Sequence, residues 1–145
     1  MNYNILIAED DTDITELLSL YLGSDGYHIH TAQTGLQALD IIASEKIDCA
    51  VIDIMMPEMN GYDLLQKIRE TNNFPVIILS ARNLDSDKIL GLNLGADAYL
   101  TKPFNPLEVT AYVRAASADV MTLPQILLHQ SLSLSPANSS LKTCD

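Results

Sequence analysis

Short apolar runs alternate with helically spaced apolar positions along most of this chain. Asn4 to Ala8 (NILIA) is a short apolar run, the pattern of a buried strand. Ile14, Leu17, Leu18, Tyr21 and Leu22 then recur at three- and four-residue spacing, which predicts an amphipathic helix. Asp11, Thr12 or Asp13 can cap its start, and Gly23 or Gly26 can end it. His28 to Ala32 predicts a weaker strand, and Leu36 to Ala43 a second helix with Leu39 and Ile42 inward. Cys49 to Ile54 (CAVIDI) predicts a third strand ending at an acid. Pro57 and Gly61 mark MMPEMNG as a loop. A helix from about Tyr62 to Glu70 turns Leu64, Leu65 and Ile68 inward. Val76 to Ser80 (VIILS) predicts the fourth strand, Asp85 to Leu94 a fourth helix weakened by Gly91, and Ala98 to Leu100 a short fifth strand. Asn105-Pro106 opens the fifth helix, a capping residue followed by the proline favoured in a first turn.

Five strand–helix units in a row predict an α/β fold: a parallel sheet with helices on both faces and right-handed crossovers. The pattern changes after Arg114. From there on the charges are Asp119, Lys142 and Asp145, and residues 131–145 hold five serines. The fifth helix is expected to run to about Met121, followed by irregular chain or a short helix after Pro124. A domain over residues 1–120 and an atypical Ser/Leu-rich tail over 121–145 are therefore expected, with no DNA-binding domain.

A length of 145 residues suits one ordinary domain. Nineteen acids against eight bases leave a formal charge of −11. That sign argues against nonspecific binding of this chain to nucleic acid or an acidic membrane, and suits a cation site or a basic partner. Cys49 and Cys144 cannot make a disulfide framework or a four-ligand zinc site, and Cys49, in an apolar run, is expected in the core. No basic stretch precedes the first apolar run, and no run approaches a membrane helix in length, so a cytoplasmic protein is expected.

Sites in open parallel sheets form beyond the carboxyl ends of the strands. The first strand ends in Glu9, Asp10 and Asp11, the third in Asp53, the fourth in Ser80, and the fifth at Tyr99 to Lys102. With a strand order of 2-1-3-4-5, Glu9, Asp10 and Asp53 converge, with Ser80 and Lys102 on the other side. Packed carboxylates repel, and each raises the cost of ionising the next. A divalent cation with oxygen ligands relieves that cost, as does the ammonium of Lys102. A carboxylate beside Mg²⁺ is well placed to attack a phosphoryl group. Each residue taken alone has a plainer role, as a cap, a turn or a core aromatic; their joint placement at successive strand ends is what points to a site.

LIAEDD, VIDIMMPEMNGYDLL, PVIILSAR and GLNLGADAYLTKPFNPLEV resemble the receiver domain of bacterial two-component response regulators over about residues 3 to 114. The text is most similar to the OmpR/PhoB branch and, within it, to regulators of glycopeptide resistance. The resemblance implies a flavodoxin-like (CheY-like) doubly wound fold of five strands and five helices. It implies that Asp53 accepts a phosphoryl group from a sensor histidine kinase. Glu9, Asp10, Asp53 and the backbone carbonyl of Met55 would hold Mg²⁺, or Mn²⁺ in its place. Lys102 would contact the acyl phosphate, and Ser80 would bond a phosphoryl oxygen and shift. Tyr99 would swing in behind Ser80. The Lys102–Pro103 bond would be cis, and Met55 and Arg82 would tune the phosphate lifetime. Self-phosphorylation from small donors and self-dephosphorylation would be weak at most, so the chain is not expected to be an enzyme.

The surface of helix 4, strand 5 and helix 5 would carry the signal by homodimerisation, and in the full-length form regulate transcription. Lys88 and Glu108 match one charge pair of that surface. A second pair is lost on both sides, with Ala98 and Tyr112 in its place, so a weakened or repacked dimer is expected, with Tyr112 against Ala98. Joint loss is milder than leaving one buried charge alone. An alternative is a Mg²⁺-dependent phosphatase with Asp53 as nucleophile, but Met55 stands where a general acid is needed. A flavodoxin-like cofactor module would need a phosphate-cradling loop, and EDDTD repels phosphate without a metal. His28, His30 and His129 do not cluster with the acids and are expected to be surface or half-buried residues rather than ligands.

Overall fold

The structure, a computed structural model, describes residues 3–121. The expected serine-rich tail lies outside the described residues. Five strands, β1 (Asn4–Ala8), β2 (His28–Ala32), β3 (Cys49–Asp53), β4 (Val76–Ser80) and β5 (Ala98–Thr101), alternate with five helices. The helices are α1 (Thr12–Ser24), α2 (Gly35–Ser44), α3 (Gly61–Arg69), α4 (Asp85–Asn93) and α5 (Pro106–Met121). All strand pairs are parallel, in the order β2-β1-β3-β4-β5, so β1 and β3 are neighbours. The chain winds outward from the centre in both directions, the expected doubly wound topology.

The central strands are buried on both faces, which is why they read as continuous apolar runs. On one face Leu6, Ala8, Ala50, Ile52, Val76 and Ile78 pack with Ala38 of α2 and Leu64, Leu65 and Ile68 of α3. On the other, Ile5, Ile7, Cys49, Val51, Ile77 and Leu79 pack with Leu18 and Leu22 of α1 and Val109 and Val113 of α5. Cys49 is buried as expected, and burial pushes its thiol up to about 12, so it is chemically quiet.

The caps follow the sequence. The Asp11 carboxylate accepts from the Asp13 and Ile14 amides, Thr34 Oγ1 from Gln37 N–H, Asn60 Oδ1 from Asp63 N–H, and Asn105 Oδ1 from Leu107 N–H. Helix α4 has no side-chain cap, and its start is held by other means described below. Gly91 does more than weaken α4. A Cβ there would meet Ile78 Cδ1 and the Tyr99 ring at 3.0 Å, so its absence lets the helix lie close on β4 and β5.

One expectation needs correction. Ala98 is only 6% exposed and packs in the core beside Val109 and Val113. The inward alternation of β5 puts residues 98 and 100 in the core, so Ala98 offers no side chain for Tyr112 of another copy to pack against.

Candidate functional site

The carboxyl ends of β1 and β3 bring Glu9, Asp10 and Asp53 together. One carboxylate oxygen from each lies within 4.8 Å of the others. Glu9 and Asp53 are buried, and Asp10 is exposed. Lys102, at the end of β5, places its Nζ 3.1 Å from Glu9 Oε1 and 3.4 Å from Asp53 Oδ1. The Lys102–Pro103 peptide bond is cis, and the Lys102 N–H donates to the Ser80 carbonyl at 2.8 Å.

Three carboxylates face one ammonium. Burial is the main force on Glu9 and pushes its carboxyl up to about 7, with Asp53 adding to the rise. The Asp11 amide, which donates to Glu9 Oε2, and the Lys102 ammonium pull it back in part. Burial alone would lower Lys102, but the Glu9 and Asp53 carboxylates outweigh it and hold the ammonium above its ordinary range. The pocket is thus short of positive charge. Its donors are all oxygens, from two buried acids and one open to water. That set fits a hard divalent cation that keeps part of its hydration shell.

The backbone around Asp53 is tightly fitted. A Cβ on Gly61 would lie 2.5 Å from the Asp53 carbonyl oxygen and 2.8 Å from Ile54 Cα. Gly61 N–H donates to the Ile54 carbonyl, so the start of α3 is seated directly on the end of β3. The Met55 amide donates to Asp53 Oδ1 at 3.3 Å, while the Met55 side chain is exposed at the mouth.

Ser80 is fully buried, and its Oγ accepts from Arg82 N–H at 3.0 Å. Tyr99 is half-buried, its ring against the α2/α3 face of the core and its hydroxyl donating to the Arg82 carbonyl. Two residues here carried no sequence expectation. Asp87, in the first turn of α4, pairs with the Arg82 guanidinium at 2.9 Å, and Tyr62 Oη donates to the Asp87 carbonyl. These contacts hold the uncapped start of α4. Of the expected surface residues, Lys88 is half-buried, and Glu108 and Tyr112 are exposed.

The family model for the response regulator receiver domain matches residues 5–114. The chain belongs to that family. Its receiver domain is 50% identical over 115 residues to the response regulator GtcR of Aneurinibacillus migulanus, covering 79% of this chain and 48% of that protein. It is 46% identical over 111 residues to the transcriptional regulatory protein CpxR of Escherichia coli, covering 77% of this chain and 47% of CpxR. The receiver domain of the Francisella response regulator 1452 superposes with a TM-score of 0.78 at 38% identity, over 82% of this chain and 99% of that one. The chain therefore spans about half the length of the curated relatives it matches. Among the described residues, no helix is long and apolar enough to cross a membrane.

Proposed function

We propose that this receiver domain is a phosphorylation switch in which Asp53 accepts a phosphoryl group from a sensor histidine kinase. The observation that carries the reading is the Lys102 ammonium 3.4 Å from Asp53 Oδ1, beside the oxygens of Glu9 and Asp10. Asp53 oxygen forms a bond to phosphorus as the donor's phosphorus–nitrogen bond breaks and the donor imidazole leaves. Lys102 neutralises the charge that builds on the transferred group. Glu9, Asp10, Asp53 and the Met55 carbonyl would hold Mg²⁺, or Mn²⁺ in its place. When bound, that ion supplies neutralisation of phosphate charge. Met55, exposed at the mouth, and Arg82, at the other side, set water access and so the lifetime of the acyl phosphate. Met55 also puts a thioether where phosphatase chemistry would need an acid.

Phosphorylation adds roughly 1.5 to 2 negative charges at Asp53. Ser80 donates to the new oxygens, Tyr99 moves behind it, and the surface of α4, β5 and α5 changes. That surface carries exposed Ile89, Leu107 and Tyr112 beside Lys88 and Glu108. It supports a homodimer weaker than a two-pair interface, which in a longer chain would control transcription. Sedimentation of the phosphorylated protein checks this: weak self-association is expected, and a tight dimer abolished by Lys88→Ala would refute it.

The direct test is intact mass after incubation with acetyl phosphate, with and without Mg²⁺. A Mg²⁺-dependent gain of one phosphoryl group, absent in Asp53→Asn, is expected. An equal gain in Asp53→Asn would place the chemistry elsewhere and overturn the assignment.

A further inference from the structure

His28 and His30 lie at the start of β2, the edge strand, far from the acidic pocket. Residues two apart on a strand point to one face, and here the two imidazole centroids are 4.9 Å apart with planes tilted by 43°. The neighbouring strand puts Asn4 in register with His28. Its Oδ1 is 3.4 Å from His30 Nε2.

That separation is a long hydrogen bond, beyond the usual centre near about 2.9–3.0 Å, so metal-free His30 and Asn4 are held loosely in place. It matches the spacing of two donors on one tetrahedral metal, about 3.4 Å when each bond is about 2.1 Å. The ring spacing agrees. A metal about 2.1 Å from one nitrogen of each ring sets the centroids roughly 4.5 to 5.2 Å apart as the angle opens from about 90° to 110°. The backbone under these donors is fixed. His28 N–H donates to the Tyr3 carbonyl at 3.0 Å, and Asn4 N–H donates to Asp48 Oδ2 at 2.8 Å. His28 is exposed, and His30 and Asn4 are half-buried, so an ion can enter from water.

We propose that His28, His30 and Asn4 form a second cation site, at the amino-terminal rim of the sheet edge, for an imidazole-preferring divalent metal of the Zn²⁺ class. Two imidazole nitrogens and an amide oxygen leave a fourth position for water. Imidazole selects Zn²⁺, Ni²⁺ and Cu²⁺ over Mg²⁺, which goes to carboxylates. The two sites therefore take different ions. They also sit at opposite ends of β1, roughly 15 Å apart at about 3.3 Å per residue. The assignment is independent of the phosphorylation reading. His28 and His30 do lie apart from the acids, exposed and half-buried as expected, and the proposal adds a ligand role to that placement.

Titrate the full chain with Zn²⁺ by calorimetry in excess Mg²⁺. One equivalent binding in the micromolar range is expected. His28→Gln and His30→Gln should each weaken it by at least about tenfold, the loss usual even for a supporting group. Asn4→Ala should weaken it by less, and His129→Ala should leave it unchanged. Unchanged urea midpoints of the metal-free histidine variants show that they fold. Ni²⁺ should broaden amide resonances of β2 and the start of β1 in ¹H–¹⁵N spectra. Zn²⁺ binding unchanged in the double histidine variant, loss of binding in His129→Ala, failure to saturate, or broadening centred on Asp10 and Asp53 would each overturn the proposal.

Discussion

Replacing Glu9 with glutamine separates the cost of burying its charge from the benefit of its contact with Lys102. Glu9 is 2% exposed, and its carboxyl is raised from 4.5 to about 7, chiefly by burial. A displacement of that size corresponds to about 3 kcal/mol. Between those two pH values the folded protein holds a proton that the unfolded chain releases. The metal-free protein's stability therefore falls as pH rises through this window. Below 4.5 both states are protonated at Glu9 and the cost is absent; above 7 it is complete. Glutamine keeps the shape and does not titrate, and Lys102 keeps Asp53 as a partner. Urea unfolding of wild type and Glu9→Gln in EDTA, from about pH 5 to pH 8, should show the variant gaining about 2–3 kcal/mol on the wild type across the range. Mg²⁺ at tenfold over its Kd should add about 1.4 kcal/mol to the wild type at the alkaline end. Less is expected at the acid end, where the Glu9 carboxyl is protonated. A difference flat with pH would refute the burial argument. A variant that loses ground as pH rises would mean that the Lys102 pair outweighs desolvation.

Two further substitutions test how the site is held. Gly61→Ala would drive a Cβ into the Asp53 carbonyl and the Ile54 backbone, which cannot rotate away, and should cost about 1–3 kcal/mol by urea midpoint. Arg82→Ala would strip the cation from Asp87, whose side chain is only 9% exposed. The urea midpoint should fall, the loss arising from the stranded carboxylate rather than the exposed arginine. Adding Asp87→Asn should recover part of it, and an unchanged loss in the double variant would contradict this account.

The acids at the strand ends were legible because β-strand boundaries set them. A continuous apolar run stops where the strand meets solvent, and in a parallel sheet all five such ends lie on one rim. The five strands and five helices were legible for the same reason. The cap residues Asp11 and Asn105 announce themselves locally, through side chains that bond their own backbone. What escaped was tertiary. Nothing in the sequence near Asp87 marks it as the partner of Arg82, because the pair closes across a turn whose path is set by β4. Tyr62 reaches the Asp87 carbonyl from the start of α3, 25 residues away in the chain. Ala98 stood in a position that the resemblance marked as surface, but β5 alternates and turns it inward. Gly61 reads as a loop glycine; its reason is the closeness of α3 to the backbone of Asp53. The spacing of His28 and His30 was visible, but Asn4 joins them only through the β1–β2 register.

The contacts around Arg82 bear on how the proposed switch would be balanced. Ser80 Oγ is tied to the Arg82 amide and Tyr99 Oη to the Arg82 carbonyl, both at 3.0 Å. The two groups that must move are therefore anchored on the two sides of one residue. Arg82 is itself held to α4 by Asp87, whose carbonyl takes the Tyr62 hydroxyl. Moving Ser80 toward a phosphoryl oxygen and freeing Tyr99 breaks two neutral hydrogen bonds, at about 1 kcal/mol each. A new bond from Ser80 to a charged oxygen returns about 1.5–3 kcal/mol. The two sums nearly cancel. Without the phosphoryl group, about 2 kcal/mol holds the resting arrangement at roughly thirty to one. With it, the balance lies near even, and a modest contribution from a partner surface then decides the state. Coupling through one shared residue also makes the two motions interdependent, since displacing the Arg82 backbone for either loosens the other.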